Sequence, residues 1–397
     1  METREMLFAL LRSEIMGEAV EKEAIASLTL DGAAALLRLA KAHDLAHIAA
    51  AALMRSGLLS EARAEDAEEE KKRAALLAHC EKMQMVAVYR YEGLRYALSE
   101  IGRVLSAAGI AHMPLKGSVL RDYYPEPWHR SSCDIDMLVH EEDLERACAA
   151  LCEGAGYRVE GRKSFHDIHL YSPAGIHLEL HFNILSGKQK YDAVLSRVWE
   201  FSEQNVNDSF LFAQKDAFFI LHHVAHMAYH FTSGGCGIKP FIDLFIMQTR
   251  MHPDFEGARA LLSEAGLLTF SEQVLALSRV WFMGESHTEL SRKLEDYLLA
   301  GGVYGTVDNK VLAQQGRRGG KLRYALSRIF LSRASLARMY PVLDKHPWLL
   351  PFMEVRRWFR LVFCGGLRRG VHELSVNREI TEAQAGEMEK FLSQLGI

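Results

Sequence analysis

Cysteine is scarce in this chain, six residues in 397, and none forms a C-x-x-C pair. Cys148 and Cys152 are four apart and share a face if that segment is helical, but no second ligand pair follows at zinc-site spacing. A disulfide scaffold and a zinc ribbon are thereby excluded, and a reduced, cytoplasmic protein is expected. No run of about 18 apolar residues occurs, which argues against a transmembrane segment. The first residues, Met1-Glu2-Thr3-Arg4-Glu5-Met6, lack the apolar stretch of a signal peptide. There is no internal repeat of fixed period. Neither sign of charge prevails: 47 Lys+Arg against 51 Asp+Glu leave a net charge of −4, which on average predicts no strong nucleic-acid or membrane affinity. What is present is ordinary for a globular protein, 49% hydrophobic and 25% charged residues. The length suggests two or three domains.

Residues 1–108 read as helical. Leu7, Leu10, Leu11 and Ile15 follow a helical period, and Asp31 is the expected N-cap of a helix from Gly32 to His43. The mixed charges from Glu61 to Arg73 suit a solvated helix face. Ala74–Ala108 continues helical without a proline. At Gly109 the texture changes. Strands are expected over Ile110–Leu115, Asp134–Val139, Tyr157–Glu160, Ile168–Tyr171 and His177–Phe182, with helices over Val119–Tyr124 and Glu141–Gly154. Pro173-Ala174-Gly175 is a hairpin turn. From Asp216 helices return, over Ala217–Phe231 and Pro240–Arg250 and on to about Phe363. The expected architecture is α+β: a catalytic core over residues 109–200, a mixed sheet with flanking helices, between helical regions 1–108 and 201–397.

The chemistry concentrates in LKGSVLRDYYPEPWHRSSCDIDMLV, residues 115–139. Asp134 and Asp136 are separated by one residue, so a strand projects both to one face and Ile135 and Met137 to the other. Two neighbouring carboxylates repel unless a cation neutralises them, and Mg²⁺ prefers oxygen ligands while keeping contact with phosphates. Sixteen residues earlier lies the Gly117-Ser118 turn, where backbone can approach a phosphate closely. Lys116 and Arg130 can add cationic contacts. The plainer alternatives are an exposed turn lysine and an arginine paired with Glu126 or Asp122. The segment His177-Leu178-Glu179-Leu180-His181 places His177, Glu179 and His181 on one face. If it pairs beside Asp134–Val139, Glu179 supplies a third acid, and His181 either orients Glu179 or packs in the core.

This arrangement resembles the DNA polymerase β-like nucleotidyltransferase superfamily. More narrowly, LKG…YP…R…DIDMLV…HLELH is similar to a bacterial family of uncharacterised nucleotidyltransferases. The resemblance implies a metal-dependent transfer of a nucleoside monophosphate from an NTP such as ATP to an acceptor hydroxyl, with pyrophosphate released. It assigns metal binding by Mg²⁺ or Mn²⁺ to Asp134, Asp136 and Glu179, and nucleotide binding to Lys116, Gly117, Ser118 and Arg130. The acceptor, whether small molecule, RNA or protein, stays open. The spacing between the turn and Asp134 is longer than in many members of the superfamily. A different class of reading is a non-catalytic nucleotide- or partner-binding module on the same fold.

Two further features stand apart. His222, His226 and His230 form a helical stripe, but it spans about 12 Å, too far for all three to reach one ion. A pair with an outside ligand such as Asp243 would suit a metal hydrolase; otherwise these histidines line a cleft or bond to backbone. Between Lys310 and Arg369 fourteen bases face only Asp344 and Glu354, with Phe330, Trp348, Trp358 and Phe359 interleaved. That segment suits an anionic partner such as RNA, an amphipathic membrane-surface helix, or packing against the acidic remainder of the chain.

Overall fold

The computed structural model describes the chain except Met1, residues 60–65, Lys188, Ser233 and residues 303–304, 318–319 and 364–366, together with the side chains of 316–317, 334, 338 and 367–370. The chain divides into two compact units, Met1–His223 with Ile238–Gly266 and Val274–His287, and Val224–Gly237 with Leu267–Gln273 and Thr288–Ile397.

The first unit opens with helices α1 (Thr3–Met16), α2 (Lys22–Ser27), α3 (Leu30–Ala42) and α4 (Ala46–Arg55). Leu7, Leu10, Leu11 and Ile15 are all fully buried, as their period demands. Helix α3 starts two residues before the expected point. Thr29, not Asp31, is its N-cap, with Oγ1 accepting the Gly32 N–H at 3.1 Å. Asp31 falls in the first turn, where its charge still suits the helix dipole. Helix α5 (Ala67–Ala107) is 41 residues long, capped by Asp66, and ends where Gly109 takes φ +66. Its first half exposes Met85 and Tyr89, while its second half buries Leu94, Ala97, Ile101 and Leu105.

The core sheet has five strands: β1 (His112–Pro114), β2 (Asp134–Val139), β3 (Arg158–Glu160), β4 (Asp167–Tyr171) and β5 (His177–His181), in the order β1-β2-β5-β4-β3. Between β1 and β2 lie the short helix α6 (Gly117–Leu120) and two 3₁₀ turns; between β2 and β3 lies α7 (Leu144–Ala155). The one parallel pairing is β2 with β5; the other three are antiparallel. The sheet is thus mixed, as expected for an α+β nucleotidyltransferase core. Ile135, Met137, Leu178, Leu180 and Leu170 pack on one side against Ile101 and Leu105 of α5 and Ala147 and Leu151 of α7. That layer leaves the other side of β2, β5 and β4 for polar residues.

Beyond the sheet come α8 (Asp192–Leu195) and a hairpin of β6 (Ser202–Gln204) and β7 (Phe212–Gln214). This hairpin was not expected, because three-residue strands reading SEQ and FAQ carry no apolar alternation. Helix α9 (Asp216–Thr232) follows, then α10 (Lys239–Ile246), extended by a π-helical turn over Met247–Met251. The described residues contain no helix long and apolar enough to cross a membrane.

The second unit is helical. Phe231, Phe270, Tyr297 and Phe391 form an aromatic cluster with ring centroids 4.7–6.2 Å apart. Several bases of the 310–369 segment are engaged within this unit. Lys310 and Arg328 both bind Glu373, and Arg357 binds Glu354 at 2.9 Å. Arg356 and Arg360 are exposed on the helix Leu350–Phe363, beside exposed Phe352 and Phe359. The side chains of Arg317, Arg318, Arg338, Arg368 and Arg369 lie outside the described residues.

Candidate functional site

Strand alternation and register set out the polar side of the sheet. Asp134 and Asp136 share one face of β2. In the parallel pairing Asp134 lies opposite His177 and Asp136 opposite Glu179. Across the antiparallel β4–β5 pair, Glu179 faces His169 and His181 faces Asp167. Three adjacent strands therefore present carboxylates and imidazoles in neighbouring columns, all on the side away from the apolar layer.

Asp136 is the centre of this face. Its Oδ1 accepts hydrogen bonds from Lys116 Nζ at 3.2 Å and His181 Nε2 at 2.9 Å, and His181 Nε2 lies 3.6 Å from Glu179 Oε2. Burial alone would lower the His181 pKa, but its bonds to Asp136 and Glu179 outweigh that and raise it. Asp134 Oδ1 accepts from Ser132 Oγ at 2.8 Å, which fixes one oxygen of that carboxylate. His169 Nδ1 and His177 Nε2 share a hydrogen bond of 2.8 Å, with their rings stacked. Asp167 binds His166 at 3.0 Å and Ser164. Burial pushes its pKa up, but these partners hold it well below the usual carboxylate range.

Three groups of ligating atoms lie within 4.8 Å of one another among the described residues: Asp136, Glu179 and His181; His169, His177 and Glu179; and His166, Asp167 and His181. The first fits a divalent cation. Its two carboxylates suit Mg²⁺ or Mn²⁺. Asp134 stands outside these groups, two residues along the same strand face.

In the turn before α6, Lys116 has a positive φ of +46 with ψ −114. Gly117 packs beside the Arg130 guanidinium, which a Cβ there would meet at 3.4 Å. The Ser118 hydroxyl is in a buried residue, and its N–H donates to Leu115 O at 3.1 Å. Arg130, expected at the phosphates, pairs with neither Glu126 nor Asp122. Its Nε donates to Asp243 Oδ1 at 2.7 Å, where Tyr124 OH also donates at 2.6 Å. Arg130 thus supports the turn from beneath. A second bond set fixes the same loop: Lys239 Nζ donates to Asp44 Oδ2 at 2.8 Å, and Ser131 Oγ donates to that oxygen at 2.7 Å.

The structure therefore brings together Lys116, Asp136 and Glu179, with Asp134 alongside, while Arg130 pairs with Asp243 beside Gly117. Sequence reasoning missed Ser132, although a hydroxyl two residues before an aspartate is a recurrent local partner. It also missed Asp167, whose place depends on which strand neighbours β5. The histidine stripe has other partners: His222 bonds Gln214, His223 Nε2 bonds Pro240 O at 3.1 Å, and His226 bonds His230 at 3.1 Å. Among the described residues no metal-ligating group of three forms around it, and Asp243 is committed to Arg130 and Tyr124.

A family model described as an uncharacterised nucleotidyltransferase matches residues 31–283, well over half of the chain. No curated protein and no solved structure matches.

Proposed function

Because the chain belongs to the uncharacterised nucleotidyltransferase family, we propose that the β2–β5 face moves a nucleoside monophosphate from an NTP to an acceptor hydroxyl, with release of pyrophosphate. One observation carries this reading: Asp136 and Glu179 lie in register on parallel neighbours, with Lys116 and His181 both donating to Asp136. Asp136 and Glu179, joined by the outer oxygen of Asp134, would hold Mg²⁺ or Mn²⁺. Such an ion, when bound, neutralises the phosphates and lowers the pKa of the attacking hydroxyl. Lys116 binds a phosphate oxygen from the strained turn, alongside Gly117 and Ser118. The acceptor oxygen bonds to the α-phosphorus while the bond to the bridging oxygen breaks, and that electron pair leaves with pyrophosphate. Glu179 takes the hydroxyl proton. His181, whose Nε2 donates to Asp136 at 2.9 Å and lies 3.6 Å from Glu179, holds the two carboxylates in place.

The test is pyrophosphate release from labelled NTP with Mg²⁺ and a cell extract as acceptor source. Asp134→Asn combined with Asp136→Asn should lower turnover by more than about 100-fold, a loss on the scale of removing a principal electrostatic group, with the circular dichroism spectrum unchanged. Turnover at the wild-type rate in the double variant would overturn the assignment. Calorimetry that records NTP binding by wild type without pyrophosphate release would favour the binding-module alternative instead.

A further inference from the structure

A cavity of about 340 Å³ lies in the first unit between the α3–α4 turn, the middle of α5 and the loop before β2. One wall is apolar and aromatic, with Val86, Tyr91, Leu94 and Trp128. The rest is basic: Lys41, Lys82, Arg90 and Arg121 line it, and none of these forms an ion pair among the described residues. Asp44 is the only acid in the lining, and it is held by Lys239 and Ser131.

Arg121 is the unusual member. It is 3% exposed, its Nε donates to Gly117 O at 3.0 Å, and its Nη2 is buried without a hydrogen-bond partner. Burial and the neighbouring Arg130 push its pKa down against the weaker pull of Asp122 and Asp134. A guanidinium does not shed its proton in proteins, and a buried charge with an unpartnered Nη2 is costly to keep. An anion in the cavity removes that cost.

We infer that this cavity binds a small amphipathic anion, with an aromatic or apolar body against Trp128, Tyr91 and Leu94 and a phosphate or carboxylate on Arg121. Its position gives it a use. The cavity reaches the catalytic face through Ser132, which lines it and bonds Asp134 at 2.8 Å. Its lining includes none of Lys116, Asp136 and Glu179, and its Arg130 is already paired with Asp243. Resting on the transfer reading above, the anion is the acceptor, entering at the Asp134 end while the nucleotide occupies the Lys116 end.

The test is calorimetry of the full chain with 1-naphthyl phosphate, 1-naphthoate and neutral 1-naphthol. At least one anion should bind at least tenfold more tightly than naphthol, and the tighter of the two identifies the headgroup. Arg121→Gln should remove that preference. Because Arg121 is buried, Val86→Trp at the half-exposed rim gives a second reading: it should fill the cavity and abolish binding of all three probes. Saturating NTP should leave anion binding in place. Equal affinity for naphthol, unaltered binding in Val86→Trp, exclusion by NTP or no saturable binding would each overturn the inference. Asp134→Asn with Asp136→Asn removes a negative charge near Arg121 and should bind the anion at least as tightly as wild type, so failure of the transfer reading and failure of the cavity assignment give different results.

Discussion

Lys116 sits where an L-residue is strained, at φ +46 and ψ −114, a region suited to glycine. Such a residue costs on the order of 1–3 kcal/mol and persists where its side chain is needed. Here the ammonium reaches Asp136 at 3.2 Å. Lys116→Met keeps the strain and loses the charge, whereas Lys116→Gly loses both. The glycine variant should therefore be the more stable of the two, by about 1 kcal/mol, in urea titrations, and both should lose NTP turnover. If the methionine variant proved the more stable, the strain assignment would be wrong. At this scale much of the site was legible. Asp134 and Asp136 share a face because a strand has period two, and Glu179 shares it by the same rule. The partner of Arg130 was not legible, because Asp243 is 113 residues away and only the packing of α10 brings it there.

Among the elements, α10 does more for the site than its apolar sequence suggests. Through Asp243 and Lys239 it fixes both ends of the loop that leads into β2. Burial would raise the Asp243 pKa, but Arg130 and the bond from Tyr124 hold it below the ordinary value. A depressed carboxyl contributes stability that is complete above its unfolded pKa of about 4 and is lost as pH falls through the folded value. Asp243→Asn should cost about 3–5 kcal/mol at pH 7, because it leaves Arg130 buried without its counter-charge. Wild type and variant should converge as pH falls below about 4. A constant gap between their denaturation midpoints from pH 7 to pH 3 would contradict this. Long periodic elements were the easiest to read: α5 and β2 follow directly from their apolar spacing. The β6–β7 hairpin escaped because neighbouring contacts, including His112 N–H to Phe210 O at 2.8 Å, hold strands too short to show a pattern.

For the whole molecule, the net charge of −4 conceals a strongly basic late segment. Counting acids inside 310–369 alone overstated its isolation, because Glu373, four residues beyond, binds both Lys310 and Arg328. Burial raises the Glu373 pKa, and those two bases more than reverse it. Glu373→Gln should destabilise the second unit by roughly 1–3 kcal/mol, the scale of charge-assisted hydrogen bonds. The loss should be visible in thermal unfolding followed at pH 7 and should shrink on acidification below pH 4, where the wild-type carboxylate is itself protonated. An unchanged melting profile at pH 7 would mean that the two bases find other partners.

The order β1-β2-β5-β4-β3 has a consequence for what the molecule loses with a single strand. Strand β5 is the last of the five in the chain yet lies between β2 and β4, so it is paired along both edges. A chain cut before residue 177 keeps Asp134 and Asp136 but lacks Glu179 and His181. Loss of that one strand therefore removes half of the polar face together with the link that joins the two sides of the sheet.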